Sequence, residues 1–318
     1  MAASAWQREL SLAITRPDAL ISALDLDPAL LAGARQGAQA FGLRVTPSYL
    51  SRMRRGDRHD PLLRQVLPLD EELAEQGGYV SDPLQEREYT RAPNLLQKYA
   101  GRALLITTQA CAIHCRYCFR REFPYAEQQE ETGNARWAGA LATIAADTSL
   151  EEVILSGGDP LSLSDARLTG LTDDLQAIPH LRRLRVHTRQ PIVLPSRVDS
   201  GLITWLQGIR LPKVFVLHVN HANEIDDHVR AACARLRGVN DNVNTLAELS
   251  RALFDAGITP YYLHLADRVR GTAHFDVPEP EAQQLVAALA ARLSGYLVPR
   301  LVREIPGAVS KVPSPPLT

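Results

Sequence analysis

The sequence predicts an α/β fold, a partial (β/α) barrel preceded by a helical region. From about residue 96 onward, short apolar runs alternate with longer amphipathic stretches. This alternation is typical of βα units, whose strands form a parallel sheet. Polar residues also follow the predicted strand ends, namely Cys111, Asp159, Arg189, Asn220 and Asp267. Because βα-barrel enzymes carry their functional residues at the carboxyl ends of the strands, we expect a site there.

Residues 1–95 are predicted to be a helical accessory region. Pro17, Pro28 and Pro47 each stand where a short amphipathic stretch begins, and proline is well tolerated in the first turn of a helix. The segment 60–89 is polar and rich in turn-forming residues, so it is expected to be irregular.

Residues 96–303 are predicted to form the barrel, and residues 304–318 a short C-terminal segment. The expected strands are 103–108, 152–155, 184–189, 214–219, 259–265 and 296–302. The expected helices are 135–146, 165–176, 200–207, 225–236, 245–256 and 280–293. Their spacing is that of consecutive βα units.

Charge and apolar patterning exclude several classes of protein. The 35 Lys and Arg residues nearly balance the 36 Asp and Glu residues, so no basic excess indicates a nucleic-acid partner. The apolar runs are too short for a membrane span, and no basic segment followed by an apolar core marks the N-terminus. We therefore expect a cytoplasmic protein without a membrane or nucleic-acid partner.

Three of the four cysteines lie together in a C-x3-C-x2-C motif, Cys111, Cys115 and Cys118, after the first barrel strand. Three thiolates do not complete a tetrahedral zinc site, but they can bind three irons of a [4Fe-4S] cluster and leave the fourth open. A zinc site completed by a histidine and a chance cluster of buried cysteines are the alternatives. No histidine is assigned as a ligand, and Cys233 has no obvious disulfide partner.

A second motif, Gly157-Gly158-Asp159, follows the next predicted strand. Glycines let the backbone approach a ligand closely, and a carboxylate can accept a hydrogen bond from an ammonium group. An ordinary turn is the alternative interpretation of the same residues.

The chain contains only three lysines, Lys98, Lys213 and Lys311. Lys98 and Lys213 precede predicted strands, at the end of the barrel opposite the polar residues. Lys311 follows the last strand in a loop of small residues, so it is the candidate for chemistry that needs an amine. A solvated lysine in the tail is the alternative.

Together these motifs resemble the lysine 2,3-aminomutase family of radical S-adenosylmethionine (SAM) enzymes. The resemblance runs from about residue 60 to Lys311. It includes the cysteine motif with Arg120-Arg121, Leu155–Leu161, Asn220–Ile225, Gly238–Asn242 and Pro260-Tyr261-Tyr262. The short C-terminus and the sequence 267–275 are most similar to the branch that makes β-lysine for translation elongation factor P (EF-P).

The resemblance implies three cofactors and the residues that bind them. Cys111, Cys115 and Cys118 would bind a [4Fe-4S] cluster, and Gly157, Gly158 and Asp159 would bind SAM. Lys311 would hold pyridoxal phosphate (PLP) as a Schiff base, and Arg102 and Lys98 would contact its phosphate. For Lys98 and Arg102, a plain solvated pair is the alternative.

The resemblance also implies a substrate and partners. Arg120 would bind the α-carboxylate of L-lysine, with a salt bridge or a contact to the cluster loop as the alternative. Asp267 and Glu304 would bind the ε-ammonium group, with salt bridges at the barrel rim as the alternative. The product would be (R)-β-lysine for EF-P and its ligase, and a reductant protein would supply electrons.

One departure from the family concerns the thirteen residues between Glu224 and Gly238. They suffice for one helix, whereas relatives also have a strand there, so one barrel strand is predicted to be missing. The open readings are a rearranged but active enzyme, a cluster-bearing protein without activity, and a deletion in the sequence. A radical SAM enzyme without PLP is a further alternative.

Overall fold

A computed structural model of the chain describes residues 3–124, 135–235, 254, 260–270, 272–273, 277–291 and 293–315. The α-helices are Ala5–Ser11 (α1), Pro17–Ala23 (α2), Leu31–Ala40 (α3), Pro47–Leu50 (α4), Ala138–Ala146 (α5), Asp165–Gln176 (α6), Gln190–Val193 (α7), Ser200–Gly208 (α8), Asp227–Arg235 (α9) and Glu279–Ala290 (α10). The strands are Thr90–Ala92 (β1), Leu95–Tyr99 (β2), Arg102–Thr108 (β3), Glu152–Gly157 (β4), Arg183–Thr188 (β5), Lys213–Leu217 (β6), Tyr262–His264 (β7), Arg300–Arg303 (β8) and Val312–Pro313 (β9). None of these helices is long and apolar enough to cross a membrane.

Two sheets form the α/β core. The larger has the order β1-β2-β3-β4-β5-β6, and the smaller has the order β7-β8-β9. Strands β3 to β6 pair in parallel in chain order, and β7 pairs in parallel with β8. The predicted α/β class with parallel strands is confirmed, and the arrangement is compatible with a partial α/β barrel.

The start of the larger sheet differs from the prediction. Strands β1 and β2 form an antiparallel hairpin across the predicted boundary at residue 95, where no strand was expected, and β2 then pairs antiparallel with β3. The turns fall at Asn94, with φ +65°, and at Gly101, with φ +73°. Asn and Gly are the residues that best tolerate this left-handed backbone. Lys98 lies within β2, beside the start of β3, and so precedes the first predicted strand as expected.

Helices α5, α6 and α8 cover one face of the larger sheet. Leu105, Leu155 and Val186 of β3, β4 and β5 belong to the buried cluster that also contains the apolar side chains of these helices. Because side chains alternate along a strand, Ser156 and His187 point to the opposite face. That face and the loops at the carboxyl ends of β3 to β6 carry the candidate site.

The N-terminal helices share a core with these loops. One buried cluster contains Leu20 and Tyr49 of this region together with Ile113 of the cysteine loop and Ile192 of α7. The guanidinium group of Arg197 lies over the ring of Trp6, with its Cζ 4.7 Å from the ring centroid. The helical region therefore packs directly onto the sequence that carries the site.

The segment from which one strand is predicted to be missing lies partly outside the described residues. Between β6 and β7, the residues that the structure describes form α9 and no further strand. The predicted helix 245–256 and the segment Gly238–Asn242 lie outside the described residues. At the C-terminus, β9 pairs antiparallel with β8, which fixes the segment just after Lys311.

Candidate active site at the carboxyl ends of the strands

The three cysteines lie on the loop that leaves β3, as predicted, and the N-terminal region fixes the backbone of this loop. The N–H of His114 donates to the carbonyl of Arg44 at 3.0 Å, and the N–H of Arg116 donates to the carbonyl of Gln65 at 2.9 Å. The side chain of Arg44 donates to the carbonyl of Cys111 at 3.2 Å. These bonds satisfy backbone groups that have no partner within a regular element.

A buried group of charges holds the same loop through its side chains. Glu72 accepts hydrogen bonds from Nε and Nη2 of Arg116 at 2.8 and 2.7 Å, and from Nη2 of Arg121 at 2.6 Å. Arg116 also donates to the carbonyl of Gly42 at 3.0 Å. Charges this deeply buried are stable only when paired and hydrogen-bonded, so the three side chains form one rigid unit.

The three thiols influence one another electrostatically. All three cysteines are free of disulfide bonds and keep some solvent contact. Burial, followed by the charge of Asp159 and the other two thiols, raises the pKa of Cys111. Burial and then Cys115 raise the pKa of Cys118 to about 11. Cys111 and Cys118 therefore stay protonated until a metal displaces their protons.

This arrangement fits an iron–sulfur cluster better than a single ion. Among the described residues, no three His, Cys, Asp or Glu side chains converge on a point where one metal ion would bind. A cluster binds each thiolate through a different iron, so its three sulfur ligands do not need to share one point. The described residues therefore do not form the alternative zinc site.

The two glycines of the second motif permit a close approach of two backbones. Gly157 has φ +112°, and a Cβ atom there would lie 2.7 Å from the carbonyl oxygen of Thr108. A Cβ atom at Gly158 would lie 2.5 Å from the carbonyl oxygen of Ala110. The glycines thus let the end of β4 pack against the chain that enters the cysteine loop. Their predicted contact with SAM remains a prediction.

The carboxylate of Asp159 is occupied by protein donors. Its Oδ1 accepts from the hydroxyl of Thr188 at 2.7 Å and the N–H of Leu161 at 3.0 Å. Its Oδ2 accepts from the N–H groups of Arg189 at 2.7 Å and Gln190 at 3.0 Å. Four hydrogen bonds are about what two carboxylate oxygens can accept. Asp159 therefore ties the turn after β4 to the end of β5, and its role toward SAM stays a prediction.

Arg120 forms the salt bridge that was its alternative role. Its Nε and Nη2 donate to the two carboxylate oxygens of Glu86 at 2.8 and 2.5 Å, and its Nη1 donates to the hydroxyl of Ser156 at 3.1 Å. The guanidinium group is therefore held in a fixed orientation beside the end of β4. Its predicted binding of a substrate carboxylate stays a prediction.

Lys311 and Lys98 meet at the carboxylate of Glu304. The Nζ of Lys311 donates to Glu304 at 2.9 Å, and the Nζ of Lys98 lies 3.6 Å from it. The hydroxyl of Tyr99 donates to the same carboxylate at 2.5 Å. Both lysines are largely shielded, with side chains 26% and 14% exposed. Neither lysine is a fully solvated side chain, and Lys98 reaches Glu304 from the start of β3, the strand end that the sequence predicts for it.

The two predicted substrate carboxylates differ in charge state. Burial raises the pKa of Glu304, but the charge of Lys311 and the hydrogen bond from Tyr99 outweigh it and leave the pKa at about 2. Burial raises the pKa of Asp267 to about 6, with Lys311 acting against the rise and Glu304 adding to it. Glu304 is thus firmly anionic at neutral pH, whereas Asp267 titrates much closer to neutrality.

His187 of β5 is a buried histidine whose pKa responds to charges of the candidate site. Burial, and then the charges of Arg185, Lys311 and Arg120, lower the pKa of its imidazole to about 3. Its buried Nε2 makes no hydrogen bond to any residue that the structure describes. The imidazole is therefore neutral at physiological pH.

Comparison with known proteins places the chain in a family. A family model described as a 4Fe-4S single cluster domain matches residues 100–178, which include both the cysteine and the glycine motifs. The L-lysine 2,3-aminomutase of Escherichia coli (strain K12) is 47% identical, over 97% of this chain and 94% of that protein. The protein of the same name from Clostridium subterminale is 33% identical, over 89% of this chain and 71% of that protein. The chain belongs to the lysine 2,3-aminomutase family.

Membership in the lysine 2,3-aminomutase family of radical SAM enzymes confirms the resemblance that the motifs carry. It agrees with a [4Fe-4S] cluster on Cys111, Cys115 and Cys118 and with SAM as its companion. The alignment with the Escherichia coli relative runs over 325 positions, more than the 318 residues of this chain. This aminomutase therefore lacks residues that the relative has, and where the shortening lies stays a prediction.

Several residues of the candidate site were not predicted. Tyr99, Glu86 and His187 contact or face predicted site residues, yet none of them belongs to a recognisable motif. The guanidinium group of Arg102 lies over the ring of Tyr99, with its Cζ 4.4 Å from the ring centroid. The alternation along β5 could have indicated His187, because its neighbours Val186 and Thr188 face the helices. Glu86 could not have been found, because its segment was expected to be irregular.

Proposed function

We propose that this protein is an L-lysine 2,3-aminomutase that converts L-α-lysine to (R)-β-lysine with a [4Fe-4S] cluster, SAM and PLP. The observation that carries the proposal is the pairing of Lys311 with Glu304 beside Lys98. Together with the predicted cluster ligands, this group offers an amine for an aldehyde cofactor and a carboxylate for a second ammonium group. The names of the relatives support the same activity.

The residues present suit all three cofactors. Cys111, Cys115 and Cys118 would hold the cluster, and the iron without a protein thiolate would take SAM. Lys311 would hold PLP, with the cationic side chains of Lys98 and Arg102 available for a phosphate group. When bound, the reduced cluster and SAM supply a 5′-deoxyadenosyl radical, and PLP supplies a conjugated ring that stabilises the substrate radical.

The charges of the chain's own residues match two charged groups of lysine, the α-carboxylate and the ε-ammonium. Arg120 would orient the α-carboxylate, since a guanidinium group binds a carboxylate through two parallel hydrogen bonds. Asp267 and Glu304 would orient the ε-ammonium group at the other end. The longer side chain of Glu304, compared with the aspartate of free-lysine mutases, would give the substrate a somewhat different pose. Holding both ends fixes the reacting carbons and excludes water.

The carboxylates near Lys311 differ as proton acceptors. Glu304 has a pKa of about 2, so it remains anionic at neutral pH and accepts a hydrogen bond from Lys311. An amine must lose a proton before it can attack an aldehyde carbon. Asp267, with a pKa of about 6, is the stronger base of the two and would be the better proton acceptor near this amine.

The product would serve EF-P. This part of the proposal rests on the similarity of the sequence 267–275 to the EF-P branch. The partners would be the ligase that transfers β-lysine to EF-P and a reductant protein for the cluster.

An anaerobic assay with L-lysine, SAM, PLP and dithionite tests the proposal. The wild type and Lys213→Ala are expected to form β-lysine, whereas Lys311→Ala forms none and loses the visible absorption of bound PLP. Lys213 is a matched control because its Nζ donates to the carbonyl of Ile209 at 2.9 Å, at the start of β6. Wild-type protein that carries full cluster and PLP but forms no β-lysine would overturn the proposal.

A cluster-bearing protein without activity is the second candidate. The observation that favours it is the thirteen-residue interval between Glu224 and Gly238, which leaves no room for the strand that relatives have. This second candidate predicts that the protein binds a complete cluster but forms no β-lysine. Retention of PLP absorption in Lys311→Ala would instead support a different binding mode, and no PLP binding at all would support a radical SAM enzyme without PLP.

A further inference from the structure

Arg189 is a buried arginine at the carboxyl end of β5, to which the sequence assigns no role. It is 5% exposed and lies between β5 and α7. Its backbone N–H donates to Asp159 at 2.7 Å, which fixes where its side chain starts. A fully charged group at such depth needs several partners, because burial without them is costly.

Three side chains of the N-terminal region and the barrel hold one half of this guanidinium group in place. Its Nη2 donates to the amide oxygen of Gln65 at 2.6 Å and to the hydroxyl of Tyr49 at 3.2 Å. The same nitrogen lies 3.3 Å from both carboxylate oxygens of Glu224. The amide nitrogen of Gln65 in turn donates to Glu224 at 2.8 Å. The network fixes the plane of the guanidinium group.

The other nitrogen of the guanidinium group reaches a cysteine of the motif. The Nη1 of Arg189 donates to the Sγ of Cys115 at 2.7 Å and also to the hydroxyl of Tyr117. Arginine only donates hydrogen bonds and stays charged in proteins, so the sulfur is the acceptor. A cation that donates directly to this sulfur fixes its orientation, and hydrogen bonds from charged donors are stronger than those from neutral ones.

We propose that Arg189 is a positioning residue that orients the Cys115 thiolate on the cluster and makes the cluster easier to reduce. Hydrogen bonds to ligand sulfur and nearby charge are two of the factors that set the reduction potential of an iron–sulfur cluster. The inference rests on the proposed function, because it requires that Cys115 binds the cluster.

The hydrogen bond carries more of this effect than the net charge. Glu224 is fully buried and pairs with Nη2, so it offsets much of the positive charge of Arg189. The donor on Nη1 remains directed at sulfur whatever the net charge of the pair. Removing Arg189 would also leave Glu224 buried without its cation, which adds negative charge near the cluster. Both changes make the addition of an electron less favourable.

Potentiometric titration of the anaerobically reconstituted protein, followed by electron paramagnetic resonance, tests the inference. Arg189→Met is expected to shift the midpoint potential of the cluster to a more negative value and to alter the spectrum of its reduced form. Arg189→Lys, which keeps the charge and one donor, is expected to shift it less. Glu224→Gln, which removes the offsetting charge, is expected to shift it in the opposite direction.

Arg197→Met is the matched control. Arg197 is also fully buried, and it donates to the carbonyl of Leu161 at 2.8 Å and to Asp165 at 2.7 Å, but it contacts no motif cysteine. It therefore reproduces the loss of a buried, paired arginine without the sulfur contact. Equal potentials in Arg189→Met and Arg197→Met, or shifts of one sign in Arg189→Lys and Glu224→Gln, would overturn the inference. If Arg189→Met takes up no iron, the potentials of Arg189→Lys and Glu224→Gln decide whether the inference stands.

The failure of this inference is distinct from the failure of the proposed function. A wild-type protein that binds no iron and sulfide after reconstitution would remove the premise that Cys115 is a ligand. A wild-type protein with a full cluster whose potential is insensitive to Arg189 and Glu224 would remove only the present inference.

Discussion

At the scale of single residues, the surroundings lower the pKa of Glu304 and raise the pKa of Asp267. Glu304 is shared by two amines and a tyrosine hydroxyl, so its anionic form is stabilised. Asp267 has no such direct donor among the hydrogen bonds of the described residues, and burial dominates its behaviour. The two carboxyl groups therefore contribute to stability in different pH ranges.

Asp267→Asn is expected to change how the stability of the cofactor-free protein depends on pH. The pKa of Asp267 is raised from 3.8 to about 6 by folding, so the folded state binds its proton more tightly than the unfolded state. The stability that this group contributes is fully present below pH 3.8 and is lost as the pH rises to about 6. Urea denaturation at pH values across this range should show a shallower decline in the variant.

Glu304→Gln is the matched comparison, because its effect has the opposite sign. The pKa of Glu304 is lowered from 4.5 to about 2, so its contribution is present above pH 4.5 and is lost as the pH falls toward 2. The glutamine variant should therefore be less stable than the wild type at neutral pH. A pH profile of Asp267→Asn that parallels the wild type would contradict the assigned pKa of Asp267.

Sequence reasoning singled out both lysines but did not foresee that they meet. Lys311 follows β8, the last strand that the apolar runs predict. Lys98 lies beside the start of β3, as predicted, but the β1–β2 hairpin that carries it was not recognised, so its approach to Glu304 was not foreseen. The proximity of the two amines depends on pairing between residues 205 positions apart, such as Tyr99 and Glu304. No local pattern encodes such a contact.

At the scale of elements, the parallel strands were predictable and the hairpin before them was not. Strands β3 to β6 are apolar runs followed by amphipathic helices, a pattern that is hard to form in another way. Strand β1 has three residues and is mostly exposed, so it has almost no apolar signal. The turn residue Asn94 and the Gly101 that follows β2 were its only local indications.

Gly158→Ala should loosen the contact between the end of β4 and the cysteine loop. The added Cβ would lie 2.5 Å from the carbonyl oxygen of Ala110, the residue before Cys111, so the backbone must shift. Overpacking of this kind typically costs about 1–3 kcal/mol. We expect a lower free energy of unfolding and less iron bound per chain after reconstitution.

Gly139→Ala provides the control for this substitution. Gly139 lies in α5, where an added Cβ has no atom within 4 Å. Alanine in a helix is favoured over glycine by about 0.5–1 kcal/mol, so this variant should be as stable as the wild type or more so. Iron binding that is unchanged in both variants would show that the glycine does not position the loop.

At the scale of the whole molecule, the N-terminal region and the barrel share one buried core. Leu20 and Tyr49 cluster with Ile113 and Ile192, whereas Trp137 and Trp205 belong to the core between the sheet and its helices. The predicted division at residue 95 separates these segments along the sequence. Contacts across that division are what decide whether the two parts unfold together.

Leu20→Ala should lower the stability of both parts at once. Leu20 is fully buried, and truncation of a buried leucine costs about 2–5 kcal/mol. Fluorescence of single-tryptophan variants can follow Trp6 in the shared core and Trp205 in the sheet core separately. We expect the denaturation midpoints of both probes to fall by the same amount.

Leu12→Ala serves as the control, because Leu12 is 71% exposed and its truncation should move neither midpoint. A shift of the Trp6 midpoint alone in Leu20→Ala would show that the N-terminal region unfolds independently. The stability of the barrel would then not depend on the N-terminal region.

The groups that hold the cysteine loop in place are synthesised in a fixed order. The carbonyl groups of Arg44 and Gln65 and the carboxylate of Glu72 precede the cysteines in the chain, so a ribosome delivers them first. Asp159 and Arg189 follow and emerge only after the thiols. A nascent chain that ends near residue 124 would therefore present the three thiols with half of their scaffold in place. The second half, which brings the cation to Cys115, would reach the loop only when β5 is made.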